Sequence, residues 1–265
     1  MNYILEMQNL KMNKKKIIYI AGYGRSGSSI LALILGQHKK IISLGEIGVI
    51  FSALKNKRIC TCGQKLEICS FWSQLIKNNI YRKKSNISFN KLENPYLKVG
   101  IVIDYIFKKT NSEFLVDSTK TSWRNLTRPL RLIFSGYDVY IVHLKRSQKS
   151  VIKSAKKGKN SDLEFNLSVK NRFSIIRTIV SYQISNKLTL FYKIINQKKY
   201  YLMNYEDLLD DPIKSFLKLS TFLKVDLSEL DEYLIGNLPL KTSHEINGNR
   251  LLRQKNDIYF QRFNN

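Results

Sequence analysis

Apolar residues in this chain fall in short, dense clusters separated by polar junctions, and the clusters alternate between two periodicities. Ile17 to Ile20 is a β-branched and aromatic run without a polar gap, the pattern of a strand buried on both faces. Gly22, Gly24 and Gly27 break it, and Ser28 to Leu35 resumes at helical spacing, so the chain opens strand, glycine-rich loop, helix. Ile41 to Glu46 reads as a short extended piece that delivers an acid to the start of a helix over Ile47 to Leu54. Residues 71–79 and 95–109 read as helices, the second with Leu97, Ile101, Val102, Tyr105 and Ile106 on one stripe. Phe114 to Asp117 is a second buried strand, Tyr137 to Leu144 a third and Tyr200 to Met203 a fourth. Helices over Gln148 to Lys157 and Asp162 to Ile195 separate the last two, and Asn204 to Asp211 forms a turn of helix before Pro212, which starts a helix over Ile213 to Leu223. Strands alternating with helices predict an α/β fold with a parallel sheet covered on both faces, its ligands at the carboxyl ends of the strands.

The first polar junction carries the clearest chemistry. The opening N–H groups of a helix lack partners and the helix dipole is positive there, so the loop before Ser28 is a ready anion site. Two phosphate-loop patterns overlap on it. Gly22, Gly24 and Gly27 satisfy G-x-G-x-x-G, with Glu46 near the place of a ribose-binding acid. Gly22 to Ser29 also has the spacing of G-x-x-x-x-G-K-[ST], except that Ser28 replaces the lysine. That lysine neutralises the β- and γ-phosphates in nucleoside triphosphatases, so its absence argues against ATP or GTP hydrolysis. What remains is a cradle with one cation, Arg25, flanked by the hydroxyls of Ser26, Ser28 and Ser29.

A second anion candidate follows the third strand. Arg146 at the strand end offers a planar fork, and Ser154 returns a hydroxyl from the second turn of the next helix.

Composition widens the choice of partner without deciding it. Lys and Arg number 45 against 20 acids, a net charge of +25, which favours an acidic partner: a nucleotide, nucleic acid or a membrane surface. The lysines are dispersed in short groups within a chain rich in Lys, Asn and Ile throughout, the pattern of a solvated surface. No apolar run reaches the roughly 18–20 residues that span a bilayer, and Met1 to Lys16 is too polar for a signal peptide, so a cytoplasmic protein of one domain over 1–265 is expected. All three cysteines, Cys60, Cys62 and Cys69, share one window. A C-x-C with a third thiol holds zinc when a fourth ligand comes from elsewhere, and otherwise the three are buried thiols or a disulfide that a reducing cytoplasm disfavours.

Taken together, Gly24-Arg-Ser-Gly-Ser-Ser29 and Val142-His-Leu-Lys-Arg146 with Ser154 resemble the two nucleotide signatures of sulfotransferases that use 3′-phosphoadenosine-5′-phosphosulfate (PAPS). Leu44-Gly-Glu46, the block from Cys60 to Trp72, Asp117-Ser-Thr-Lys120, Tyr205 to Pro212, and His244-x-Ile-x-Gly-Asn249 followed by Arg250 and Arg253 extend the likeness to the bacterial carbohydrate type. The resemblance implies a P-loop NTPase-like sheet with helical insertions, and transfer of a sulfuryl group from PAPS to a hydroxyl or amine. It places the 5′-phosphosulfate on Gly24, Arg25, Ser26, Gly27, Ser28 and Ser29 and the 3′-phosphate on Arg146 and Ser154. Arg250 or Arg253 would cover the nucleotide from a last loop. It also implies Glu46 as the base that deprotonates the acceptor, with His244 as the alternative, and Lys120 beside Arg25 as a cation offsetting charge on the leaving phosphate. The chain ends soon after Asp257 to Phe260, where relatives carry a tryptophan-containing segment and a final helix, so a shortened lid is expected. No metal is expected for the transfer step.

The implied acceptor is a glycan, a lipid-linked glycan or a small metabolite, bound by the segments 47–112 and 160–195. Two rival readings stay in view. A P-loop kinase or ATPase would need a lysine at position 28 and a Mg²⁺-holding acid, for which only Asp117 is placed. A basic nucleic-acid-binding protein would show salt-steep binding without need of Arg25; on the resemblance, no nucleic acid is expected.

Overall fold

The computed structural model describes residues 15–77, 95–120, 127–156, 174–246 and 257–260. Its centre is β1 (Lys16–Ala21), whose residues from Ile17 onward are all buried. A strand with no solvent face must be covered on both sides and paired on both edges. Here β3 (Phe114–Asp117) and β4 (Asp138–Lys145) flank it, while β2 (Ile41–Ser43) and β5 (Tyr200–Asn204) form the edges, in the order β2-β3-β1-β4-β5. Every pairing is parallel.

Because side chains alternate across a strand, β1 feeds two cores. Ile17, Tyr19 and Ala21 join α2 (Ile50–Lys55), α4 (Pro95–Thr110) and the cysteine window on one face. Ile18 and Ile20 face α1 (Ser28–Leu35), α8 (Tyr205–Asp210) and α9 (Pro212–Leu223) on the other. Between these lie α3 (Ser73–Leu75), α5 (Arg128–Phe134), α6 (Gln148–Lys156) and α7 (Ser174–Ile195), and α10 (Asp231–Leu234) follows α9.

Most of the expected elements form. The piece at Ile41 is a paired edge strand, because β3 leaves its outer edge open to it. The helix expected over 71–79 is helical only from Ser73 among the described residues, and the one expected over Ile47 to Leu54 starts as a 3₁₀ turn, Ile47–Val49. Of the stripe on α4, Val102 and Ile106 are buried and Ile101 and Tyr105 pack against the same core, while the side chain of Leu97 lies outside the described residues. The first part of the helix expected from Asp162 is likewise outside them. α5 lies where no element is expected, started by Pro129 in its first turn.

His143, buried in β4, shows how a polar side chain is held inside this sheet. Asn186 donates its amide to the Tyr182 carbonyl (2.9 Å), which turns its oxygen toward His143 Nε2 at 2.8 Å, while Tyr200 Oη lies 2.6 Å from Nδ1. The neutral ring with its proton on Nε2 satisfies both contacts. Burial, against the pull of Asn186 and with the push of Lys145, holds its pKa below the usual histidine value. A group depressed on folding stabilises above its unfolded pKa and is lost below it. Stability should therefore fall as pH drops below about 6.5, and the slope of melting temperature between pH 7 and 5 should be shallower in His143→Gln than in the parent chain.

Candidate active site

With all strands parallel, their carboxyl ends lie on one edge, and the polar junctions named from the sequence gather there. β1 turns through Gly22 at φ +114°, where a Cβ would stand 2.6 Å from the Leu144 carbonyl oxygen of β4. Arg25 takes a left-handed conformation at φ 68°, unusual for a residue with a side chain. Gly27 adopts φ +94° beneath the ring of Tyr205, 2.1 Å from where a Cβ would sit. α1 then starts at Ser28 with no side chain capping it, so its positive end is turned to the loop. Ser26 and Ser28 are buried, and Ser26 Oγ donates to the Tyr23 carbonyl at 2.6 Å.

The second candidate stretch closes onto this loop. Arg146 donates Nη1 to the Arg25 carbonyl at 3.2 Å, and Arg25 donates Nη1 to the carbonyl of Ser154 at 3.0 Å, with Ser154 Oγ at 3.4 Å. Arg146 lies over the Tyr205 ring, 4.6 Å from its centre, and Tyr182 donates its hydroxyl to the Arg146 carbonyl at 2.7 Å. Its Nε is buried with no hydrogen-bond partner among the described residues. An orphaned guanidinium N–H costs free energy unless something accepts from it.

On the other side of β1, Glu46 follows β2 and Lys120 follows β3. Lys120 Nζ meets Glu46 Oε1 at 2.6 Å, each side chain about one-fifth exposed (20% and 19%). Lys120 is also left-handed, at φ 68°, and its carbonyl accepts from Tyr19 Oη at 2.8 Å. Asp117 holds this corner. Its Oδ2 takes Nε and Nη2 of Arg128, both at 2.8 Å, and its Oδ1 takes the N–H of Thr119 at 3.0 Å and the Thr119 hydroxyl. Thr119 Oγ1 in turn accepts from Gly48 N at 2.9 Å, which ties the segment after Glu46 to the segment before Lys120. Both oxygens of Asp117 are thus engaged, which removes the carboxylate a Mg²⁺-dependent kinase would need.

His244 packs into the cysteine window, two residues before the Ile246 that pairs with the backbone of Glu46. Its ring stacks on Phe71 (5.6 Å, 19°), with Nδ1 3.2 Å from Cys69 Sγ and 3.8 Å from Cys60 Sγ. The three cysteines are free thiols, with no disulfide among them. Arg250 and Arg253 lie outside the described residues. Sequence reading gave no site role to two members of this edge. Tyr205, which roofs Gly27 and carries Arg146, opens the Tyr205 to Pro212 stretch of the family likeness, yet nothing in that stretch points to either contact. Arg128 had the Pro129 helix start beside it, yet nothing in the sequence pairs it with Asp117.

The chain belongs to the sulfotransferase family: the sulfotransferase domain matches residues 15–242. Solved sulfotransferases share its fold. The sulfotransferase domain from the curacin biosynthetic pathway aligns over 92% of this chain and 84% of its own, at 17% identity and a TM-score of 0.57. The sulfotransferase domain of the Synechococcus PCC 7002 olefin synthase aligns over 84% and 78%, at 19% identity and 0.52. Sulfotransferase STF1 from Mycobacterium tuberculosis H37Rv aligns over 88% and 74%, at 10% and 0.51. No curated protein matches the sequence. The chain is therefore a sulfotransferase with a P-loop-like parallel sheet, and among the described residues no helix is long and apolar enough to cross a membrane.

Since Arg128 is buried against Asp117, Asp117→Asn leaves a guanidinium in the core without its counter-charge. The variant should lose about 3–5 kcal/mol of stability, read as a lower midpoint in urea.

Proposed function

We propose that this sulfotransferase takes its sulfuryl group from PAPS and delivers it to a hydroxyl, or an amine, of a glycan, lipid-linked glycan or small metabolite. The observation that supports the donor best is the meeting of Arg25, Arg146 and Ser154 beside the uncapped start of α1. Two guanidiniums and a helix N-terminus on one wall suit a nucleotide with an anionic group at each end of its ribose, and the buried Arg146 Nε offers a donor that an anion would satisfy. Gly24 has nothing within 4 Å of a Cβ position, so the loop leaves room beside its backbone.

When bound, the donor supplies a sulfuryl group on a phosphate leaving group. The S–O bond to that phosphate breaks, a bond from sulfur to the acceptor oxygen forms, and the acceptor proton departs. In this chain Glu46 takes that proton from the acceptor. Lys120, held 2.6 Å from Glu46, keeps the carboxylate in place and presents an ammonium to the oxygens that gain charge. Arg25 and the N–H groups at the start of α1 stabilise the leaving phosphate, and Arg146 with Ser154 orients the far end. Arg250 and Arg253 remain candidates to close over it. Glu46 and Lys120 follow β2 and β3 on one side of β1, Arg25 follows β1 itself, and Arg146 follows β4 on the other side.

The test separates donor binding from chemistry. Adenosine 3′,5′-bisphosphate should raise the melting temperature, while ATP with Mg²⁺, NAD and duplex DNA should not. Arg146→Ala should abolish that rise. Glu46→Gln should keep it yet lower the release of bisphosphate from PAPS, measured against a panel of hydroxylated acceptors, by about 10²–10⁴-fold. A larger rise with ATP and Mg²⁺ would overturn the assignment.

A further inference from the structure

The cysteine window was left without a role by the transfer chemistry, and the fold supplies what its sequence lacks. Cys60, Cys62, Cys69 and His244 bring three sulfurs and one ring nitrogen together, every pair of these atoms within 4.8 Å. Cys62 Sγ and Cys69 Sγ are 3.7 Å apart, and His244 Nδ1 stands 3.8 Å from Cys60 Sγ and 3.2 Å from Cys69 Sγ. Those separations are too long for a disulfide, which needs about 2.05 Å. An ion with Zn–S bonds of about 2.3 Å and a Zn–N bond of about 2.0 Å holds its ligand atoms roughly 3.5–3.8 Å apart in a tetrahedron; the 3.7 and 3.8 Å separations have that length, and the 3.2 Å one needs only a slight opening to reach it.

We propose that Cys60, Cys62, Cys69 and His244 form a structural Cys₃His zinc site that pins the cysteine loop to the strand-like segment ending at Ile246. The surroundings are built as a ligand set requires. With Nδ1 directed at the ion, the other ring nitrogen is left as a donor, and Nε2 has Ser70 Oγ at 3.4 Å. The main chain on both sides of the histidine is held by the loop itself. Trp72 Nε1 donates to the His244 carbonyl at 2.8 Å, Thr61 Oγ1 donates to the Ser243 carbonyl, and Glu245 N donates back to Thr61 Oγ1 at 2.9 Å. Gly63, at φ +84°, makes the turn after Cys62 and donates its N–H to the Cys60 carbonyl at 2.9 Å. Three thiolates and one neutral imidazole give a Zn²⁺ site one net negative charge, and Lys109 answers it by donating Nζ to the carbonyls of Ser70 and Phe71 at 3.0 and 2.9 Å. All four positions are filled by protein, so the ion takes no part in sulfuryl transfer.

The site has a consequence for the edge described above. Ile246 N donates to the Leu44 carbonyl and Glu46 N donates to the Ile246 carbonyl, both at 2.9 Å, so the segment that carries His244 is the backbone partner of Glu46. An ion binding Cys60, Cys62 and Cys69 from one end of the chain and His244 from the other, 175 residues apart from Cys69, would lock that partner in place.

The full chain, purified with zinc and reducing agent and passed through gel filtration, should carry about one zinc per chain by elemental analysis. Replacing zinc with cobalt should give the intense visible d–d bands of a tetrahedral ion and a sulfur-to-cobalt charge-transfer band. Cys62→Ser is the informative variant, because Cys62 is exposed while Cys60 and Cys69 are buried, so the fold tolerates it. It and His244→Ala should each lose the metal and weaken or shift the cobalt bands. Chelation should lower the melting temperature of the parent chain and leave that of His244→Ala unchanged. A parent chain that retains no zinc after loading, that shows only weak octahedral cobalt bands, or that yields a Cys62–Cys69 disulfide in peptide mass analysis under reducing purification would overturn the proposal. These readouts are independent of PAPS binding, so they stand or fall apart from the assignment of the donor.

Discussion

Burial of β1 on both faces is the constraint from which the rest of the molecule follows. A strand whose side chains on both sides are apolar cannot sit at the surface, and the helices that cover it force the neighbouring strands to return in the same direction. All five strands therefore end on one edge. The glycine loop, Glu46, Asp117 to Lys120, Arg146 and Tyr205 are far apart in sequence, yet each follows a strand, so parallel pairing alone is enough to gather them. The site is a by-product of how the core is closed.

Within that edge the charges are not interchangeable. Asp117 and Arg128 satisfy one another in the interior, where an isolated member would be costly, and they spend their charge on holding the backbone of Thr119 and Gly48. Glu46 and Lys120 pair with one another while partly open to solvent. Arg25 and Arg146 each donate to a backbone carbonyl, of Ser154 and of Arg25 respectively, which fixes their direction. The net +25 of the chain is consistent with an anionic ligand, and the proposed donor rests on the placement of two guanidiniums beside the loop and not on the overall charge.

Tightness of approach also explains which small residues the loop needs. Gly27 lies under Tyr205 and Gly22 against the Leu144 carbonyl, so β1, β4 and the residue after β5 are in direct contact through the loop. Tyr205 then serves twice, roofing the loop and giving Arg146 a flat face to rest on. A change in either element would be transmitted to the other because no side chain separates them.

Periodicity and glycine spacing in the sequence were sufficient for the alternation of strands and helices, the phosphate-loop character of Gly22 to Ser29 and the cation after β4, because these are local patterns with a direct physical meaning. Their resemblance to sulfotransferase signatures also carried the family. Tertiary structure alone decided what each long-range partner is: that Arg25 and Arg146 touch, that Asp117 is spent on Arg128, that Tyr205 covers Gly27, and that His244 belongs with three cysteines 175 residues or more away. Such partners are chosen by the strand order and by how two cores close around β1, and neither leaves a trace in the spacing of neighbouring residues.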